Sequence, residues 1–336
     1  MNKALSCTAC LLLWMCSTLC AARADGFTYG AWLPYWESAS ALGEADLLTG
    51  RLDEAIAFAC VFDQDDQPLM PPETEAMLEA LQACESDHAV FLSVVNDVDL
   101  GEGKYEQKSV KLLKRLLSSE KSVDSHLEAL TTLVDRYSLT GLELDYENLR
   151  DDRSLWEAYV ELIRRLWTVC ERDGVRLRIV LPWNAPRFTE LPQGPEYSVM
   201  CYNLYGYHSD AGPKADLDFL AETCALYQPM GSGVRMAFAT GGFDWHGDTI
   251  TALTQEEAQA QLDEAGAEPI RDEKSGALTA VYMSEEETHE VWFADAATLA
   301  IWRDTCAAAG FVSFDLFRLG GNDLFDWEHA LFDRQP

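Results

Sequence analysis

Apolar runs of five to nine residues recur along this chain, and most are separated by stretches whose apolar positions fall at helical spacing. Eight runs read as strands: Gly30–Trp36, Glu54–Phe62, Ala89–Val95, Leu142–Glu147, Arg176–Trp183, Tyr197–Asn203, Val234–Thr240 and Gly310–Phe317. Between them, Thr74–Ala83, Ser109–Leu117, Asp124–Tyr137, Ser154–Arg172, Leu217–Tyr227 and Asp295–Ala309 read as amphipathic helices. Asp124–Tyr137 shows the pattern well, with Leu127, Leu130, Leu133 and Val134 on one face. Eight alternating units in a domain of this length predict a (β/α)8 TIM barrel. An open doubly wound sheet is the alternative, but the residues after the first run, Trp36-Glu37-Ser38-Ala39, form no glycine-rich phosphate turn.

One interval is too long for a plain connection. From about 246 to 292 the chain contains a helix (Gln255–Ala265), a turn at Lys274-Ser275-Gly276, a strand (Ala277–Met283) and Thr288–Phe293. This predicts a small α+β insertion between the seventh and eighth strands, inside one catalytic domain covering 25–336.

The fourth run breaks the apolar rule at every second position. In Leu142-Glu143-Leu144-Asp145-Tyr146-Glu147, the three acids share one face of a strand and Leu142, Leu144 and Tyr146 share the other. A surface strand would place the acids in water. Flanking helices instead cover the apolar face and turn the acids inward, where mutual repulsion and burial raise at least one pKa. Clustered carboxylates of this kind mark functional sites more often than structural accidents. Glu147 stands at the carboxyl end of its strand, where parallel α/β folds place their chemistry, and is the candidate proton donor.

Thr140-Gly141-Leu142-Glu143-Leu144-Asp145-Tyr146-Glu147 resembles the fourth-strand signature DGxDxDxE of glycoside hydrolase family 18, the chitinases and their relatives. The departures fall on Thr140 and Glu143, in the relay beneath the catalytic pair. Met200-Cys201-Tyr202-Asn203 resembles the family's sixth-strand Met-x-Tyr-Asp, with Asn203 in place of the Asp. The first-strand segment Gly30–Trp36 and His289-Glu290-Val291-Trp292-Phe293 are similar to the branch containing bacterial spore-cortex and peptidoglycan N-acetylglucosaminidases. The resemblance covers essentially the whole chain after residue 24. It implies hydrolysis of β-linked N-acetylglucosamine glycans with retention, through substrate-assisted catalysis. Glu147 is then the acid, Asp145 holds the substrate acetamide and Tyr202 positions it. Glu143, exchanging a proton with Asp145, and Asn203 join the substrate-binding set, and Phe317 takes the place of a cleft-floor Trp. Among aromatics near strand ends, Trp36, Trp183 and Trp245 are candidates for sugar stacking, whereas Trp32 and Tyr29 read as core. A catalytically silent, chitinase-like lectin is the rival reading, disfavoured because Asp145 and Glu147 are both in place.

Composition narrows the partners. Met1–Ala24 reads as a secretory signal, with Lys3, an apolar stretch and Ala22-Arg23-Ala24 before Asp25; the residues around Cys16 and Cys20 do not make a lipid-attachment motif. Its removal leaves 23 basic residues against 57 acidic ones, a balance that argues against nucleic acid and anionic membranes. The expected product is a secreted or periplasmic monomer acting on a glycan. The six remaining cysteines, Cys60, Cys84, Cys170, Cys201, Cys224 and Cys306, are scattered, so their pairing stays open. His88, His208, His246 and His289 show no ligand spacing, Asp63–Asp66 lacks the EF-hand glycine and closing glutamate, and no Gly-x-Ser-x-Gly elbow occurs. No metal or other cofactor is expected.

Overall fold

The computed structural model describes residues 26–84, 86–284 and 286–332, so the expected signal at 1–24 lies outside the described residues. Eight parallel strands form the barrel: β1 (Thr28–Pro34), β2 (Glu54–Phe62), β3 (Ala89–Gly101), β4 (Gly141–Asp145), β5 (Arg176–Pro182), β6 (Glu196–Met200), β7 (Val234–Ala239) and β13 (Ser313–Phe317). Each pairs with the next, and β13 returns to β1 with Thr28 opposite Ser313, closing the sheet. The fold is therefore a (β/α)8 barrel. Its helices include α1 (Ser38–Leu47), α2 (Pro72–Ala83), α3 (Val110–Leu116), α4 (Glu120–Tyr137), α5 (Arg153–Asp173), α6 (Leu217–Tyr227) and α8 (Ala296–Ala308).

The sequence sets the boundaries of the helices that flank the acidic strand. Ser119 and Ser122 close a capping box at the start of α4, and Ser138 ends it in a left-handed conformation, φ 50°. Asp152 accepts the Leu155 N–H at the start of α5, and Gly174 (φ 73°) terminates it. Both helices pack on the apolar face of β4. Leu142, Leu144 and Tyr146 are fully buried between sheet and helices, and the Tyr146 hydroxyl lies 2.9 Å from His126 Nε2 of α4. A smaller cluster inside the barrel contains Trp32, Ile56, Phe91, Val180, Met200 and Ala237.

Several strands stop short of their apolar runs. β4 ends at Asp145, β5 at Pro182 and β6 at Met200, so Glu147, Trp183, Tyr202 and Asn203 sit on the loops just beyond the ladder. Conversely, β3 runs on to Gly101 and turns back through Gly103 into a short antiparallel strand, Lys104–Glu106.

The insertion is a five-stranded antiparallel sheet built from β8 (Gly241–His246), β9 (Thr249–Leu253), β10 (Ile270–Arg271), β11 (Leu278–Ser284) and β12 (Glu287–Ala294). Helix α7 (Gln255–Ala265) covers one face, with Ala258 and Leu262 packed on Ala280, Val291 and Phe293. It starts at Gly241 rather than near 246, because Gly241 (φ 60°) turns the chain immediately after β7 where a side chain would strike the Leu253 carbonyl.

Candidate active site

The register of β4 explains how its acids come to differ. Glu143 sits opposite Ser93 of β3 and Arg178 of β5, in the middle of the barrel, and is fully buried. Trp32 Nε1 donates to its Oε1 at 2.7 Å, and Arg178 Nη1 lies 3.7 Å from its Oε2. Asp145 sits opposite Val95, one layer nearer the carboxyl end, and is also buried. Glu147 follows beyond the strand, its side chain 19% exposed. Asn96, at the end of the Ala89–Val95 run, pins this last residue: its Oδ1 accepts the Glu147 N–H at 2.9 Å and its Nδ2 donates to the Glu147 carbonyl at 3.2 Å.

Lys108, on the loop after the β3 hairpin, places its ammonium 2.6 Å from Glu147 Oε1. Its own backbone N–H donates to Asp97 Oδ1 at 2.7 Å. One cation thus faces a group of three carboxyls. Burial pushes the Asp145 carboxyl well above the usual carboxylate range, and Glu147 and Glu143 push it further. Burial raises Asp97 as well, with a smaller push from Glu147. Burial works against the Lys108 charge, but Glu147, Asp145 and Asp97 together outweigh it and hold the ammonium above its ordinary value. Deeper in the barrel, burial raises Glu143 to about 7, with Arg178 and the Trp32 N–H pulling the other way. The Tyr202 hydroxyl is raised by burial and by Asp145, Glu147 and Glu143, so it stays protonated and able to donate.

Glu147, Asp145 and Tyr202 line one cavity of about 1240 Å³ at the carboxyl ends of the strands. Asn203, Trp36, Trp183 and Phe317 line it too. Phe317 stacks on Tyr202 with ring centroids 5.8 Å apart and planes at 13°, and Phe58 and Trp32 meet its edges. Trp36 is half exposed and stands edge-on to Phe58 at 5.8 Å. Trp183 is held edge-on by Phe219 at 5.4 Å, with the Arg187 guanidinium over its ring.

Two expected substrate contacts fall elsewhere. Glu143 lies beneath the cavity rather than on its wall, because the closed barrel leaves its carboxylate no exposed surface. Trp245 is displaced from the wall by Phe243, two residues earlier on the same face of β8; its ring packs on Phe243 and its N–H donates to the Ser209 carbonyl. The sequence reading also missed Lys108, Asn96, Asp97, Phe243 and Lys214. Asn96 and Asp97 had a signal, as a polar pair directly after a strand run. Lys214 had none: it donates to the Thr240 carbonyl at 3.1 Å, and burial then Arg318 lower its ammonium to about 7.

No family model matches the chain. A chitinase from Chromobacterium violaceum superposes with a TM-score of 0.78 at 17% identity, over 92% of this chain and 100% of that one. The spore cortex-lytic enzyme SleL of Bacillus megaterium gives 0.76 at 14% identity, over 92% and 74%. Among curated proteins, the uncharacterized glycosylase YvbX of Bacillus subtilis is 19% identical over 236 residues, 65% of this chain and 68% of YvbX. The chain thus has the barrel fold of class V chitinases and SleL enzymes, with its acid cluster at the carboxyl ends of the strands.

Proposed function

We propose that this protein is a retaining glycoside hydrolase of the family 18 type, cleaving β-linked N-acetylglucosamine glycans by substrate-assisted catalysis after export from the cytoplasm. The observation that carries this reading is the pair at the end of β4: Glu147 opens onto the cavity two residues beyond a buried Asp145 whose carboxyl is raised well above the usual carboxylate range, with the Tyr202 hydroxyl close enough to respond to both carboxyls.

The pair shares a proton unequally. In the free site Lys108 pairs with Glu147, and burial favours the protonated form of Asp145. As the sugar fills the cavity and excludes water, the proton passes to Glu147, which delivers it to the glycosidic oxygen. Asp145 is left ionised and accepts the acetamide N–H, while Tyr202 donates to the acetamide. The acetamide carbonyl oxygen attacks the anomeric carbon as the bond to the leaving sugar breaks, giving an oxazolinium-type ring. Glu147, now a base, takes a proton from water, which opens that ring with net retention. This is one of the exceptions to the scheme using two protein carboxylates. Holding the acetamide against the anomeric carbon supplies the proximity that a protein nucleophile would otherwise provide.

A fluorogenic chitobioside tests the reading. Turnover with initial release of the β-anomer, inhibition by a thiazoline analogue of N-acetylglucosamine, and no cleavage of the matching glucoside are expected. Binding without turnover would establish the lectin reading instead, and efficient cleavage of the glucoside would require a side-chain nucleophile. Mass spectrometry of products from chito-oligosaccharides and purified peptidoglycan then assigns the glycan.

A further inference from the structure

On the insertion sheet, the face of β8 turned away from the cavity carries a second cluster. His246 of β8 lies directly opposite His289 of β12, and Asp244 precedes His246 by two residues on the same face. We propose that Asp244, His246 and His289 bind a late first-row divalent cation, with Zn²⁺ as the probe ion.

The three donor atoms already converge. His289 Nδ1 is 2.7 Å and His246 Nδ1 is 3.1 Å from Asp244 Oδ2, and one ligand atom from each residue lies within 4.8 Å of the others. Ligands at ~2.0–2.1 Å around a tetrahedral Zn²⁺ stand roughly 3.3 Å apart, so the ion enters by a small opening of this triangle. Two imidazoles and one carboxylate suit zinc and its neighbours better than magnesium or calcium, which prefer oxygen.

An independent observation points the same way. Asp244 is 2% exposed, and its Oδ1 is buried with no hydrogen-bond donor among the described residues. Among the described residues, its ion-pair partners are the two histidines. Among those residues no lysine or arginine pairs with it, and a buried carboxylate without a fixed counter-charge is costly. A bound dication supplies that charge. His246 Nδ1, although 3.1 Å from Asp244 Oδ2, likewise makes no hydrogen bond among the described residues.

The surroundings hold the ligands in place. Gln261 of α7 donates to Asp244 Oδ2 at 2.8 Å and also bonds the Tyr282 hydroxyl. The Tyr282 ring stacks on His289 (4.9 Å, 9°), which stacks on His246 (4.7 Å, 19°). The His246 side chain is 23% exposed, leaving an entry path and room for a water as fourth ligand. Chain order conceals the site, since β-sheet pairing rather than sequence spacing brings the histidines together. An ion there would clamp β8 to β12, and so steady Phe243, which lines the cavity from the other face of β8.

The test uses the full-length chain without an affinity tag, stripped with a chelator and titrated with Zn²⁺ by calorimetry and with Co²⁺ by visible absorption. One equivalent of Zn²⁺ and a tetrahedral Co²⁺ spectrum are expected. Gln261→Ala should weaken binding by about 10–100-fold, and His246→Gln, at the exposed edge, by at least that much. Excess Zn²⁺ should raise the melting temperature of the wild type but not of His246→Gln, whose melting temperature in chelator should match the stripped wild type. Absence of saturable binding overturns the proposal. So does binding that His246→Gln and His289→Gln leave unchanged, which would place the ion on scattered surface acids.

Discussion

The two ends of the barrel bury the same kinds of charged groups and treat them in opposite ways. At the amino-terminal end, Glu54, Glu196 and Asp315 interleave with Arg176, Arg178 and Arg235. Arg235 Nε donates to Asp315 Oδ1 at 2.8 Å, Arg176 pairs with Glu196 at 2.7 Å, and Arg178 is hydrogen-bonded to Glu54. Burial alone would raise Glu54, yet Arg178, Arg235 and Arg176 hold it well below the usual carboxylate range. At the carboxyl end, Asp97, Asp145 and Glu147 face the single ammonium of Lys108, and Asp145 is raised instead. Glu143, between the two layers, rests at about 7. Counter-charge therefore decides what burial does to an acid. Compensated acids lock the base of the barrel, and the pair at its mouth is under-compensated, as the proposed proton transfer requires.

The contrast can be broken at either end. Glu147→Gln should lower kcat on an unactivated chito-oligosaccharide by about 10²–10⁴-fold, with less loss on an activated aryl glycoside and no change in the urea midpoint. A rate within a few-fold of wild type would show that another group is the acid. Arg178→Met acts at the base: removing the cation shared by Glu54, Glu143 and Asp315 leaves more buried acids than arginines and should cost about 3–5 kcal/mol in urea unfolding, while kcat of the folded protein stays within a few-fold.

Glu143→Gln tests the layer between. A carboxyl near 7 in the folded state and near 4.5 in the unfolded state binds more protons when folded, so wild-type stability falls as pH rises from about 4.5 to about 7. The variant should lose that dependence, a difference on the order of 3 kcal/mol between the ends of the window; parallel unfolding curves for the two proteins would contradict it. The smallest effect is expected for Lys108→Gln. Its ammonium, 2.6 Å from Glu147 Oε1, favours a negative charge on the pair, so without it the pair keeps its proton longer and the basic limb of activity should move to higher pH.

How much of this was legible in the sequence follows from the same contrast. Strict alternation in Leu142–Glu147 showed which residues face inward, since a strand admits only two faces and the leucines had to meet α4 and α5. What charge each acid carries was not legible, because the answer lies with partners on other strands and loops. Arg178 reaches Glu143 only through β4–β5 pairing, and Lys108 reaches Glu147 from the loop after β3. Trp245 shows the same limit, since closeness to a strand end in sequence does not make a residue part of the cavity wall when Phe243 stands before it. His246 and His289 meet only because β8 and β12 pair in register.

The central claim is that Asp145 and Glu147 hold one catalytic proton between them, and the pH–rate profile of Asp145→Asn against wild type tests it most directly. With the buried partner neutralised, the proton must stay on Glu147 alone beside Lys108. The basic limb should then shift to lower pH, and the maximum rate should fall on the order of 10²-fold, because the acetamide also loses its charged partner. If both the basic limb and the maximum rate are unchanged, the two carboxyls do not share a proton and the account of the site is wrong.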